Sequence, residues 1–510
     1  MHAASWLVCC STFASAFQLH GSSFAPRLPQ AMPPSRSHHC STLAMRAAPA
    51  KQLWNPLSFF GPRTPLETKQ VVVIGAGVAG LLCARRLTQA GIDVLLAEAS
   101  DGIGGRVRSD EVDTPEGKFI LDRGFHVFIE AYPEVKKQLD YEALELQKFE
   151  PGALVRYQGE FYSVSDPIRR PELLLLALQA PIGTFIDKLK VGIYRVVASL
   201  RSEENAVYIS GSERDTLSFL KDTLGLSDNM VDKFFVPFYR GIFLSPLETQ
   251  SSRLFEFVFK MLADGDTSLP LKGIGAIADQ MAGRFPEGTV ALGTKAVQVD
   301  PAPSPSGLAT VTLVDSAGEY RVECEAVVVA AEGPAANELL GRKKAPKEET
   351  KSVSSTCFYF SLPSPPPVKG NTLILNGELN GDDKAINNIV FLDQVSESYA
   401  PAGRSLASVS LPGLSNVADP SCVEDITSQL QEWFPKANVK EDWKLIKTYP
   451  IPFAQPAQVI SGADKPSCAI PVSQGVYCCG DHRGDPTLNS AFQTGAEVAE
   501  AVLSALGRRR

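Results

Sequence analysis

The stretch from Gln70 to Arg106, QVVVIGAGVAGLLCARRLTQAGIDVLLAEASDGIGGR, leaves the chain little choice of fold. Val71 to Ile74 is an unbroken, β-branched apolar run, the pattern of a strand buried on both faces of a parallel sheet. Gly75, Gly77 and Gly80 follow as G-x-G-x-x-G, and a helix over Val78 to Ala90 is expected to open there and to stop at Gly91. Each glycine has its own reason: a tight turn at Gly75, backbone approach to a pyrophosphate at Gly77, close helix-on-strand packing at Gly80. Val78 and Ala79 open the helix, whose unpaired N–H groups and dipole favour phosphate. Ile92 to Ala97 reads as the second strand. Glu98 ends it about 20 residues downstream, where a carboxylate accepts a ribose 2′-OH and repels a 2′-phosphate. Together these features predict a dinucleotide-binding βαβ unit and argue against NADP.

A chain of 510 residues with 44% hydrophobic and 21% charged content has core enough for more than one unit. Its first 66 residues stand apart: Arg27, Arg36, Arg46, Lys51 and Arg63 are basic, and no acid precedes Glu67. Ala3 to Ala16 is uncharged and apolar, too short to span a bilayer, and closes with the small-residue cleavage pattern Ala14-Ser15-Ala16. The Ser-, Pro- and Arg-rich residues from Phe17 to about Pro65 are similar to a plastid transit peptide. With Phe17 at the cleavage point, the leader resembles the bipartite plastid presequence of algae with secondary plastids, which implies a plastid (chloroplast) location. With five of the 49 basic residues in this leader, the remainder sets 57 acidic residues against far fewer basic ones, a balance that excludes a nucleic-acid partner. Cysteines without a C-x-x-C pair indicate neither a disulfide framework nor a metal site. The adjacent Cys478 and Cys479 read as small core residues.

Gly104-Gly105-Arg106 resembles the G-G-R extension of the superfamily of FAD-dependent amine oxidases, protoporphyrinogen oxidases and phytoene (carotenoid) desaturases. The resemblance implies FAD as cofactor, with Gly104, Gly105 and Arg106 continuing the pyrophosphate and flavin contacts. Asp122 to Pro133 resembles the G-x-H-x-F-x-x-x-Y-P segment of plant-type phytoene desaturases, so Gly124 and Phe125 are expected beside the flavin; Ile129-Glu130 departs from that pattern. In VALGTKAVQVD the backbone of Val297 is placed against the adenine. Glu332 stands in Ala330-Ala331-Glu332-Gly333 where the family has A-T-G. Near the C-terminus, Gly480-Asp481 corresponds to a pair touching the pyrophosphate and ribityl chain. The helix opened by Asn489-Ser490-Ala491 would face the flavin's pyrimidine edge, its dipole favouring negative charge on reduced flavin.

The fold class so implied is α/β: a Rossmann-type, GR2-like FAD-binding domain assembled from separated segments, with an inserted α+β substrate domain. After the presequence at 1–66, the FAD domain is expected at 67–130, 266–336 and 465–510, and the substrate domain at 131–265 and 337–464. Within the substrate domain a hairpin turns at Gln158-Gly159, and strands are expected at Thr356 to Leu362, Thr372 to Asn376 and Leu406 to Leu411. Glu172 to Leu200 has an apolar helical pattern broken at Pro181 and Gly183. Its stripe reads as core packing, with Lys188, Lys190, Arg195 and Arg201 leaving peripheral membrane association as the alternative. The aromatics from Phe234 to Phe259 suit either core or the lining of an apolar cavity.

Functionally, the resemblance implies an oxidoreductase acting on a large apolar, carotenoid-like small molecule, by desaturation or flavin-dependent isomerisation, with an electron acceptor such as a quinone or O2. A flavin amine oxidase or protoporphyrinogen-type oxidase is the alternative, though the nearest lysine for amine chemistry, Lys272, lies in no recognisable motif. A flavin-binding scaffold without catalysis is a third reading. Outside the leader only His126 and His482 are histidines, each following a segment placed near the flavin, so both are candidate catalytic proton carriers.

Overall fold

The computed structural model describes residues 66–201, 213–341, 351–379, 384–458, 460 and 467–508. The expected presequence and its cleavage points lie outside the described residues.

Val71, Val72 and Val73 are fully buried, as an all-apolar strand requires, and they form the centre of an α/β, Rossmann-type layer. Leu66–Ile74 pairs in parallel with Val94–Ala97 on one side and with Gly318–Val329 on the other. Val290–Ala291 extends the parallel sheet beyond Val94–Ala97. The 12-residue strand Gly318–Val329 has two partners on its far side: Val476–Cys478 runs parallel to its end, and Ala309–Asp315 antiparallel to its beginning. Glu325 and Ala326 carry it as one strand across both partners. Chain from three distant regions therefore converges on one sheet.

The helix Val78–Gln89 packs over that sheet beside Leu488–Ala505, and their seam depends on a glycine. A Cβ at Gly495 would lie 2.4 Å from the Ala79 carbonyl oxygen. The small residue is thus the condition for the two helices to meet.

Among the described residues a second, seven-stranded sheet runs in spatial order Lys444–Pro456, Ser352–Pro363, Arg404–Pro412, Asn388–Phe391, Leu373–Asn376, Gly152–Tyr157 and Glu160–Ser165. The last two strands are the expected hairpin, with Gln158 and Gly159 both at positive φ, as a two-residue turn of this hand needs. Three helices matter for the site: Leu174–Gln179 packs on Glu160–Ser165, Phe185–Ser199 on the helix Ser252–Asp264, and Val236–Phe243 on Leu373–Asn376 and Arg404–Pro412.

The apolar stripe of the first two of these helices is not core. Leu175 is 71% exposed, Ile186 62% and Leu200 81%, with Phe185, Leu189, Ile193, Val196 and Val197 exposed beside them. Periodicity specifies an apolar face but not what covers it, and no described element covers this one. No described helix is long and apolar enough to cross a membrane.

Two glycine substitutions should move stability in opposite directions. Gly495→Ala forces the helix seam apart and is expected to cost about 1–3 kcal/mol. Gly192→Ala, inside Phe185–Ser199 with open space around its Cβ, should add about 0.5–1 kcal/mol. Denaturant midpoints of the two variants against the parent check both signs.

Candidate active site

A cavity of about 1220 Å³ runs from the glycine loop to the exposed helix pair. That exceeds the roughly 300–1,000 Å³ typical of one small-molecule pocket, so it has room for a cofactor and a second molecule.

At its first end the backbone shapes the wall. Gly75 has φ +102°, and Gly80 lies so close to it that a Cβ would sit 2.0 Å from the Gly75 carbonyl oxygen. A Cβ at Gly77 would instead meet nothing within 4 Å, so that position opens onto the cavity. Gly77 forms a β-bridge with Gly104, and Gly104 N–H donates to the Ala76 carbonyl at 2.8 Å. The G-G-R segment is thereby tied to the G-x-G-x-x-G loop. Glu98 closes this end: its carboxylate accepts from Ala76 N–H at 2.7 Å and from Ser100 N–H at 2.9 Å. Those two bonds fix its orientation and leave lone pairs for ribose hydroxyls.

Arg106 joins three segments. Its guanidinium donates both Nη1 and Nη2 to Asp481, at 2.7 and 2.8 Å, and Nη1 also donates to the Ala454 carbonyl at 2.9 Å. The Phe453 ring lies under it, 5.6 Å from centroid to guanidinium carbon. Burial pushes the Asp481 carboxyl up, but the charge and hydrogen bonds of Arg106 outweigh it and hold the pKa below the usual carboxylate range. Glu332 stands 4.0 Å from Arg106 Nε. Burial raises its pKa, Arg106 opposes, and the neighbouring charges of Asp481 and Glu98 reinforce the rise.

His126 is on the wall, and its Nδ1 lies 3.0 Å from the Gly124 carbonyl oxygen, so the proton of the neutral ring sits on Nδ1. Gly124 O also accepts from the Tyr359 hydroxyl, which reaches the Asp122 carbonyl as well. The Asp122 carboxylate accepts from Ser109, Tyr399 and the Ile274 N–H. The imidazole therefore rests on a fixed, buried scaffold. Burial lowers its pKa, while the Asp122 charge and the carbonyls of Gly124 and Arg106 oppose that shift.

The cavity brings together Gly75, Gly77, Val78, Ala79, Glu98, Gly104, Gly105, Arg106, Phe125, His126, Gly480, Asp481 and Ala491 from the sequence-based set. Several expected residues are elsewhere. Gly80 is off the wall but makes the close helix-on-strand packing expected of it, against Gly75 and Ala330, and Gly124 lies behind His126. Val297 is 45% exposed and off the wall, because a register shift between Ala296 and Gln298 turns it outward; Thr294, Lys295 and Ala296 line the cavity instead. Asn489 accepts from Glu134 N–H, and Ser490 from Asp485 N–H, so these two side chains brace the helix start while Leu488 and Ala491 reach the wall. His482 also misses the wall: Nε2 faces Cys478 Sγ at 3.5 Å and the ring packs on Gly333. The two histidines therefore do not share the cavity. Of the aromatics, Phe234, Phe235, Phe238, Tyr239, Phe243 and Phe259 line it, whereas Phe255 and Phe257 do not. Sequence reasoning missed Phe453, Ala454 and Gln455, which sit on a strand with no distinctive motif.

Residues 78–503 match the family model of flavin containing amine oxidoreductases. A chloroplastic/chromoplastic 15-cis-phytoene desaturase of Solanum lycopersicum is 24% identical over 200 residues, which is 37% of this chain and 32% of the relative. Protoporphyrinogen oxidase 2 of Arabidopsis thaliana is 39% identical over 90 residues, 18% of this chain and 17% of the relative. The carotenoid phi-ring synthase of Streptomyces griseus is 26% identical over 194 residues, 37% of each chain. The match thus spans about a third of the length of the first of these relatives. Among solved structures, putrescine oxidase has a TM-score of 0.62 at 15% identity, covering 86% of this chain and 100% of that one. Reduced UDP-galactopyranose mutase has a TM-score of 0.57 at 17% identity, covering 86% and 96%.

The chain is an FAD-dependent oxidoreductase of Rossmann type. It belongs to the flavin-containing amine oxidoreductase family.

The open space at Gly77 fits the diphosphate of FAD and gives a clean test. Gly77→Val places a side chain in that space without striking protein, so the variant should fold with unchanged circular dichroism yet carry no flavin absorbance. Stoichiometric flavin in that variant would mean that the diphosphate lies elsewhere.

Proposed function

We propose that this enzyme oxidises a large, apolar, carotenoid-like molecule that enters from a membrane surface, and that it does so in a plastid. The observation that carries the reading is the continuity of the cavity with the exposed helix pair. Leu174, Leu178, Phe185, Leu189 and Ile193 both line the cavity and face solvent. A water-soluble substrate has no use for such a mouth, whereas a lipid-dissolved one reaches it without crossing water. The partial matches to a chloroplastic/chromoplastic phytoene desaturase and to a bacterial carotenoid phi-ring synthase support the substrate class, and the first of these, with the resemblance of the leader to a plastid presequence, supports the location.

Bound FAD would supply a two-electron acceptor for the substrate's hydride, with a quinone or O2 as the final acceptor of the electrons. Gly75, Gly77, Val78 and Ala79 would hold the diphosphate with backbone N–H groups, and Glu98 the adenosine ribose. His126 would take the accompanying proton. Burial keeps it neutral at pH 7, and the carbonyls of Gly124 and Arg106 face the ring to hold the proton once taken. Because its pKa is lowered, proton acceptance should stay constant through neutrality and fall only below the ordinary histidine range. Amine chemistry has less support: Lys272 is exposed and off the wall, and of the wall lysines Lys188 is spent on the carbonyls of Leu178 and Ala180 while Lys295 follows Thr294, whose N–H bonds to Glu98 O at the proposed ribose end.

Anaerobic mixing of the flavin-loaded enzyme with polyenes, porphyrinogens and amines should bleach the flavin with a polyene. Bleaching by amines alone would overturn the substrate class. His126→Gln should keep FAD and slow that bleaching by about 10²–10⁴-fold.

The membrane expectation is separate. The basic residues beside the stripe are already engaged, Lys190 with Gly225 O, Arg195 with Asp166 and Arg201 with Glu256, so the contact should be apolar rather than electrostatic. The protein should float with neutral phosphatidylcholine vesicles, resist salt, and gain little from anionic lipid. Leu175→Asp with Ile186→Asp should leave it in the aqueous fraction; flotation of that double variant would dismiss this face as the contact.

A further inference from the structure

The space that Gly77 opens for the diphosphate is flanked by Arg106 and by three acids, Glu98, Asp481 and Glu332, and only two of the three are held. The glycine loop rests on the residues just after Gly318–Val329: a Cβ at Gly75 would lie 2.9 Å from the Ala330 carbonyl oxygen and 3.2 Å from Ala331 N. Glu332 follows directly, on the turn into the helix Gly333–Leu339, and lines the cavity with its side chain 49% exposed. Glu98 is met by two backbone N–H groups and Asp481 by two guanidinium N–H groups. Glu332 has only Arg106 Nε, at 4.0 Å, which is beyond hydrogen-bonding reach. Water serves this carboxylate in the free protein, and a diphosphate at Gly77 would displace water and add negative charge.

The charges that act on the Glu332 carboxyl are Arg106, which attracts, and Asp481 and Glu98, which repel. The other ionisable groups on elements packed against it are His482, whose ring lies on Gly333, Lys295 and Asp300 of the strand Lys295–Asp300, against which the helix Gly333–Leu339 packs, and Glu338 of that helix itself. Phe453 also reaches Gly333, from a strand whose end, Pro450 to Pro456, has no ionisable side chain. Burial and the two neighbouring acids already push the Glu332 carboxyl up against the pull of Arg106, and phosphate charge pushes the same way.

Resting on the placement of the diphosphate at Gly77, we propose that Glu332 takes up a proton when FAD binds, faces the diphosphate as a neutral carboxylic acid, and so makes retention of the cofactor depend on pH. The proton comes from solvent, and only an O–H bond forms. The substrate class has no part in it. A group that holds its proton more tightly in the bound state strengthens binding at low pH and loses that contribution as pH rises through its bound-state pKa.

Dilution of flavin-loaded enzyme releases flavin, whose fluorescence gives Kd at each pH. Between about pH 5 and about pH 8 the parent should hold FAD progressively more weakly, by up to about tenfold per pH unit, the slope of one proton taken up per FAD. Glu332→Gln, uncharged throughout and of the same size, should keep the parent's low-pH affinity across the range and so bind about tenfold or more tightly than the parent at about pH 8. Glu332→Ala should lose the slope as well, and Glu332→Asp should keep it. At about pH 6 the infrared difference between loaded parent and loaded Glu332→Gln should contain the carbonyl band of a protonated carboxylic acid. Both histidines are common to all four proteins, so a difference in slope belongs to residue 332. A flat parent, equal slopes in parent and Glu332→Gln, or weaker FAD binding by Glu332→Gln at every pH overturns the proposal; the last would mean that the carboxylate serves FAD in its ionised form. Failure of the diphosphate placement shows separately, as flavin retained by Gly77→Val, and would overturn this proposal with it.

Discussion

Arg106 and Asp481 are 375 residues apart in sequence, and the cofactor end of this protein is held by their contact. The pair is bidentate, which sets orientation as well as distance, and the same guanidinium reaches Ala454 O on the outermost strand of the second sheet. One side chain thus joins the glycine loop, the last strand-to-helix turn and the sheet that bounds the substrate space. Breaking such a pair by removing one partner leaves an uncompensated charge, which is costly where the site is closed. The geometry of the first βαβ unit, legible as local sequence, becomes a cavity only because this long-range contact brings the other walls to it.

That arrangement leaves little positive charge for a diphosphate. Arg106 is shared with Asp481 and stands near Glu332, while Glu98 is bound by backbone N–H groups. With the diphosphate held as proposed, the attraction would come from the oriented N–H groups of the loop and the start of Val78–Gln89, which supply partial charge without a countercharge to desolvate. A site of this kind depends on backbone placement, which explains why its glycines tolerate so little: Gly75 is at positive φ and Gly80 has no space for a Cβ.

What the sequence made legible follows from this. The glycine loop, the second strand with its terminal acid, the hairpin at Gln158-Gly159 and the final helix are each set by nearby residues. Features that depend on distant chain were not. Val297 is turned outward by a shift in pairing with a strand whose register the sequence does not state. His482 follows a glycine-acid turn that does reach the cavity, yet its own ring goes back toward Cys478, a choice made by packing on Gly333. The strands Asn388–Phe391 and Lys444–Pro456 carry few motifs, and the second of them contributes Gln455. The apolar stripe of Phe185–Ser199 was read correctly as one face of a helix and incorrectly as core, because periodicity is the same whether protein or lipid lies against it.

The exposed helix pair and the polar end of the cavity make opposite demands. On the helix pair, Leu175, Ile186 and Leu200 stay unfavourable in water until something apolar covers them. At the other end Glu98 is held by backbone N–H groups and Arg106 by Asp481, so a polar group finds partners there and a purely apolar one does not. On the proposed reading, a long apolar molecule would therefore lie with its body toward the helix pair, and the few polar groups beside Arg106 and His126 would decide what part of it can be brought up to the cofactor.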